Sequence, residues 1–168
     1  MTLKDDALAD LDRELAITRQ FLEALPDDKL SWQPHAKSMA LGRLAMHVAE
    51  VVGLQTRMLA TDGFDVATHP PGPRPTATSR AQVLALFDEN AAALRAALAN
   101  TDDAALRKTW SMTRGADTLF SGARLTLLRA RGISHMVHHR AQLGVFYRLL
   151  DVPVPASYGP SADEKTFR

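Results

Sequence analysis

The sequence predicts an all-α fold: a four-helix bundle with one long crossover connection and a small hairpin before the last helix. Three observations predict it. Four stretches carry apolar side chains at three- and four-residue steps, the spacing of one helix face. The 168 residues include 27 alanines, which favour helix and let helices approach closely. No convincing set of long alternating strands competes with them.

The first helix is expected over residues 5–26, with Leu8, Leu11, Leu15, Leu22 and Leu25 on one face, and Pro26-Asp27-Asp28 stops it. Residues 31–37 contain Pro34 and must be irregular, since proline and the residue before it both resist helix. The second helix begins at Ser38 or Met39 and runs to Thr61, with Ala40, Leu44, His47, Val51, Leu54 and Met58 along one seam and Asp62-Gly63 as its end. Residues 68–75 include His69-Pro70-Pro71-Gly72-Pro73-Arg74-Pro75, a rigid extended connection on the surface.

Ser79 is a suitable N-cap for the third helix, whose stripe is Val83, Phe87, Ala91, Leu94 and Leu98 and whose end lies near Asn100. Thr109, Trp110, Met112 and Thr113 flank Gly115 as in a small hairpin. The fourth helix, residues 121–150, has the seam Leu125, Leu128, Gly132, His135, His139, Gln142 and Phe146, and Pro153 and Pro155 prevent its continuation. Residues 1–168 are read as one domain, with 151–168 a polar tail from which Tyr158 packs over an opening. No internal repeat is present.

Composition narrows the function classes. Hydrophobic residues make up 46% and charged residues 23%, a globular balance far from the disordered regime. With 20 Lys+Arg against 19 Asp+Glu the net charge is +1, so no global electrostatic case exists for nucleic-acid binding. Cysteine is absent, which excludes disulfides, thiolate nucleophiles, cysteine-ligated zinc and iron–sulfur clusters, and leaves any metal to nitrogen and oxygen ligands. Asp5, Asp6, Asp10 and Asp12 stand where a signal peptide needs a basic then apolar run. No stretch approaches the roughly 18 apolar residues of a membrane span. The expectation is a soluble, cytoplasmic protein that engages neither membrane nor nucleic acid.

Three histidines intrude on the apolar seams: His47 on the second helix, His135 and His139 on the fourth. Burying an imidazole without a partner costs about 1–3 kcal/mol, and a shared divalent metal is one explanation for all three. Its competitor is a set of ordinary core histidines bonded to backbone or carboxylates. His135 and His139 lie one turn apart on one face, and a ligand from a facing helix is how bundle metal sites are built. Three protein ligands leave an open coordination position.

His138 can also pair with His135 at three-residue spacing, but it sits off the seam and is read as a supporting or partner-facing residue. His35 and His69 fall in loops. Glu50 and Gln142, one turn from His47 and His139, could orient a ligand ring. The last helix also carries Arg124, Arg129, Arg131, Arg140 and Arg148, mostly a solvated face, with Arg140 the candidate for attracting an anionic substrate. Trp32, Trp110 and Tyr158 pack under loops or at a pocket rim. No Gly-rich phosphate loop or nucleophile elbow is present.

The ordered combination of three segments resembles the DinB/YfiT-like family: Leu25-Pro26-Asp27-Asp28 through Trp32-Gln33-Pro34-His35 to Met46-His47, then His135-Met136-Val137-His138-His139-Arg140-Ala141-Gln142-Leu143, then Val152-Pro153-Val154-Pro155-Ala156-Ser157-Tyr158. The resemblance spans nearly the whole chain; one departure is Ala141, where the family often has glycine. It implies a four-helix bundle, usually dimeric, with a divalent metal on His47, His135 and His139. Nickel or zinc comes first and iron or manganese second. It also implies a metal-dependent enzyme, a transferase or isomerase that uses a low-molecular-weight thiol; thiol S-transfer to an electrophile is the leading expectation, and hydrolysis through a metal-activated water is the alternative that the open coordination position allows. Arg140 and Gln142 would support the site, and with no cysteine in the chain the thiol must come from a cosubstrate. The competing expectation is a non-catalytic, metal-stabilised dimeric binding or stress-response protein. A homodimer is expected on either reading, from the resemblance and from long apolar helix faces that need cover.

Overall fold

In the computed structural model, residues 2–69 and 72–165 are described; the crossover residues Pro70 and Pro71 lie outside them. The chain forms α1 (Leu3–Glu23), a 3-10 turn (Asp27–Lys29), α2 (Leu41–Ala60), β1 (Gly63–Asp65), α3 (Arg80–Ala99), α4 (Asp103–Arg107), β2 (Thr109–Arg114), β3 (Asp117–Ala123), α5 (Arg124–Leu127), a π-helical stretch (Leu128–Ile133) and α6 (Ser134–Leu149). The last three run on as one helix. α1 and α2 are diagonal, and each packs against both α3 and α6, so the first two helices of the chain are not neighbours in the bundle, whereas α2 and α3 pack directly on each other.

Local chemistry explains most element ends. Thr2 caps α1, accepting from the Asp5 backbone N–H at 3.1 Å while the Asp5 carboxylate accepts from the Thr2 N–H at 2.9 Å. Ser79 caps α3 by accepting from the Gln82 N–H at 3.1 Å, as its position in the sequence predicts. α2 starts two or three residues later than expected. Ala40 is extended, and the first N–H groups are taken by the preceding loop: Leu41 donates to the Trp32 carbonyl at 2.8 Å and Gly42 to the Leu30 carbonyl at 2.9 Å.

The all-α expectation is corrected by a three-stranded sheet. The hairpin is present: β2 and β3 pair antiparallel around Gly115, whose φ of 59° is the left-handed region that glycine adopts without strain. β1, which sequence reading missed, adds parallel to β2 with Phe64 opposite Met112. Three residues are too few for a periodicity signal. Asp65 secures the arrangement by accepting from the Ala67 and Gly115 N–H groups, both at 2.9 Å, and these bonds hold its carboxyl below the usual range. The sheet claims residues 121–123, so the last helix begins at Arg124 and not at Ser121.

Two arginines of the last helix are buried, contrary to the solvated-face reading. Arg124 donates to the Met58 carbonyl at 3.0 Å, the Thr61 carbonyl at 2.8 Å and Asp62 at 2.5 Å, supplying partners that the C-terminal end of α2 lacks. Arg140 is the second and is treated with the site. The tail is also less detached than its polarity suggests: Ala156 is fully buried, and its N–H donates to Glu164 at 2.8 Å.

Candidate metal centre

The core-facing line of α6 is Met136, Arg140, Leu143 and Tyr147. It packs on α1, where Tyr147 donates to the Phe21 carbonyl at 2.5 Å. Buried His139 and half-buried His135 and Gln142 occupy the adjacent edge, which faces α2 and brings the rings to His47. The π-helical stretch ends just before His135 and sets its position. Gly132 lies under the buried Gln55 side chain of α2, and a Cβ there would come within 2.3 Å of the Gln55 Cδ. Such π turns frequently interrupt helices at functional sites.

His47, His135 and His139 each present one ring nitrogen, and the three atoms lie within 4.8 Å of one another. The Nε2 atoms of His135 and His139 are 2.9 Å apart. Gln142 presents its amide oxygen to His139 Nδ1 at 2.8 Å, so the proton sits on Nδ1 and the Nε2 lone pair is left to point at the cluster. Three nitrogens on a tetrahedral ion with bonds of about 2.0–2.1 Å are about 3.3 Å apart. The His135–His139 pair is near that spacing and the His47 nitrogen lies within 4.8 Å of both, and a neutral imidazole set suits a divalent ion.

Electrostatics favour the neutral rings. Burial lowers the His139 pKa to about 4, against a smaller upward pull from the Gln142 hydrogen bond. His47 and His135 are also lowered, chiefly by burial; the neighbouring His135 and Arg43 push His47 down further, while Glu50 pulls it up. Glu50 lies 3.6 Å from His47 Nδ1 and is clamped by Arg43, which donates to it at 3.0 Å through one guanidinium nitrogen. That same nitrogen of Arg43 donates to the Pro75 carbonyl at 2.8 Å, pinning the crossover beside the site. A 210 Å³ pocket lined by His47, Glu50, Val51, Leu54, Arg74 and His135 opens the cluster to one side.

The structure thus gathers His47, His135 and His139, with Gln142 against one ring and Glu50 near another. His138 is exposed and outside the cluster, although its ring is 4.8 Å from that of His139. His35 and His69 are exposed in loops. The reading of Arg140 as an anion attractor is corrected. Its guanidinium points toward α1, 2.8 Å from Glu14 with both side chains nearly fully buried, and also donates to Thr18 and Tyr158. Trp110 is fully buried, Trp32 packs edge-on to Phe146, and Tyr158 caps the Arg140–Glu14 pair. Sequence reading missed Arg43 and Arg74. Arg43 sits seven residues before Glu50 on the same helix, a spacing that could have flagged it; the place of Arg74 depends on the path of the crossover, which no local pattern encodes.

A family profile described as the DinB superfamily matches residues 10–143. The chain belongs to the DinB superfamily. It is 25% identical over 162 residues to the uncharacterized protein YrdA of Bacillus subtilis (strain 168), covering 95% of this chain and 90% of that protein. Two solved DinB-like structures share the fold. One, from Bacillus cereus ATCC 10987, superposes with a TM-score of 0.68 at 22% identity, covering 92% of this chain and 97% of the other. The second, YjoA from Bacillus subtilis, gives 0.70 at 16% identity, covering 96% and 99%. Among the described residues of this DinB protein no helix is long and apolar enough to cross a membrane.

Proposed function

We propose that His47, His135 and His139 hold a divalent metal ion with an open coordination position, and that the site activates water or a low-molecular-weight thiol for transfer to an electrophile. The observation that carries this reading is the convergence of three ring nitrogens within 4.8 Å, next to a pocket that admits a small molecule. Structural zinc sites are normally closed by four protein ligands, and this cluster offers three. A divalent ion held there supplies Lewis acidity, which lowers the pKa of a coordinated water or thiol.

The chain's own residues have defined parts. Gln142 fixes the tautomer and ring plane of His139. Arg43 holds the Glu50 carboxylate at the pocket wall, where it steadies His47 and is placed to accept a proton from a bound nucleophile. No cysteine is available, so a thiol nucleophile enters as a cosubstrate. Two copies of the chain form a homodimer, with Val145 and Leu149, exposed one turn apart on α6, in the contact. Nickel or zinc, and then iron or manganese, are the ions to load. The test is to load each ion and screen several thiols with an aryl halide electrophile, and separately activated esters. Turnover that disappears in His135→Ala and Glu50→Gln supports the reading. No turnover with any ion, thiol or ester would overturn it in favour of a metal that only stabilises the bundle.

A further inference from the structure

Beside the histidine cluster lies a larger groove of about 720 Å³, within the range of small-molecule sites. The small sheet builds one wall of it: Phe64 and Val66 come from β1 and its extension, Met112 and Arg114 from β2, Leu119 from β3. The opposite wall is Leu54 and Arg57 of α2, and Arg74 with Gly72 closes it from the crossover. Leu54 and Arg74 line both this groove and the pocket containing His47 and His135. The two spaces therefore adjoin.

The charge in the groove is one-sided. Arg57, Arg74 and Arg114 line it, and among the described residues none of the three forms an ion pair with a carboxylate. Of the nearby acids, Asp117 stands opposite Arg114 in the hairpin register without forming an ion pair with it, and the others are engaged. Asp65 accepts two backbone N–H groups, Asp62 pairs with Arg124, and Glu50 pairs with Arg43. Arg57 is held in place over the Phe64 ring, its guanidinium carbon 4.3 Å from the ring centroid. The lining between the cations is apolar, with Leu54, Met112 and the exposed Leu119.

We propose that this groove binds an organic anion with an apolar body and at least two carboxylate groups, held by Arg57, Arg74 and Arg114. Guanidinium forks match carboxylates in a bidentate fashion, and three without acidic partners suit a ligand of at least two negative charges. His47 and Arg57 are ten positions apart on α2, about 15 Å along the helix axis. A ligand gripped by Arg57 and Arg114 can therefore place its far end past Arg74 at the histidine cluster. This deepens the proposed function, on which it rests only for the claim that the far end is where reaction occurs; the anion site itself needs no metal.

The test is calorimetric titration of the full chain with terephthalate, an aromatic dicarboxylate, against benzoate and the neutral benzenedimethanol, on chelator-treated and on zinc-loaded protein. Circular dichroism confirms that each sample is folded. The expected order is terephthalate over benzoate over the diol in both samples, with affinity falling as salt is raised. Arg57→Gln, Arg74→Gln and Arg114→Gln should each weaken terephthalate about 10-fold. Leu119→Asp should weaken it by placing a like charge in the lining, and Arg107→Gln, exposed and outside the groove lining, should leave it unchanged. Equal binding of the diol and the dicarboxylate, or binding within two-fold of wild type when all three groove arginines are replaced, would overturn the proposal. Because the chelator-treated arm contains no metal, loss of the metal reading and loss of the anion site give different results.

Discussion

Removing Arg140 should destabilise the bundle while leaving the histidine cluster intact. Arg140 is 2% exposed and its guanidinium lies 2.8 Å from a Glu14 carboxylate oxygen, with Glu14 itself 3% exposed. It also donates to Thr18 Oγ1 at 3.1 Å and Tyr158 Oη at 2.6 Å, and Tyr158 donates on to Glu14 at 2.8 Å. Arg140→Met strips Glu14 of its buried counter-charge and leaves it the Tyr158 hydroxyl donor and the largely exposed Arg13 guanidinium 3.6 Å away. Breaking one side of a buried pair costs about 3–5 kcal/mol, and at about 2–4 °C per kcal/mol for a chain of this size Tm falls by about 6–20 °C. Glu14→Leu combined with Arg140→Met removes both charges and should recover most of that loss, since an apolar pair of similar volume is often neutral or better. Urea unfolding of the two single variants and the double gives the coupling energy, and metal content measured alongside should match wild type. Single variants as stable as wild type, or a double variant showing the summed losses of the two singles, would refute the assignment of Arg140 to a structural pair.

Gly132→Ala should cost about 1–3 kcal/mol by overpacking, because the new methyl meets a Gln55 side chain that is 1% exposed and cannot swing away; Gln55→Ala added to it should restore stability, and a stabilising Gly132→Ala by itself would contradict the packing. In chelator, the three imidazoles are neutral in the fold with pKa values below the unfolded value of about 6.5. The unfolded chain then takes up protons first, so stability is full above about pH 6.5 and falls as pH drops toward about 4, where His139 also protonates. Urea midpoints across that window should fall more steeply for wild type than for His139→Ala, and parallel curves would contradict the burial of a neutral ring. Light scattering should give twice the 18.4 kDa chain mass, with Val145→Glu shifting the protein to monomer; a monomer at micromolar concentration in wild type would remove the dimer.

The histidine cluster was legible because helical spacing is strict. His135 and His139 share a face by their four-residue separation, and His47 sits mid-seam on a helix that packs against theirs. The Ser79 cap and the turn at Gly115 were legible for the same reason, each being local chemistry. Arg140 was misread because its neighbours in sequence are the histidines, whereas a rotation of about 100° from His139 turns it to α1, and its partner Glu14 lies 126 residues away. β1 escaped because three residues carry no period, and its pairing to β2 is non-local. Arg57, Arg74 and Arg114 come from a helix, a proline-rich crossover and a strand, and only the folded chain places them in one groove.

Metal content bears most directly on the central claim. Wild type, His47→Ala, His135→Ala, His139→Ala and His138→Ala are purified, loaded with zinc or nickel, desalted and analysed by mass spectrometry for ion per chain. The account predicts about one ion in wild type and in His138→Ala, whose ring lies outside the cluster, and loss of the ion in the other three. Full loading of His139→Ala together with loss in His138→Ala would contradict it.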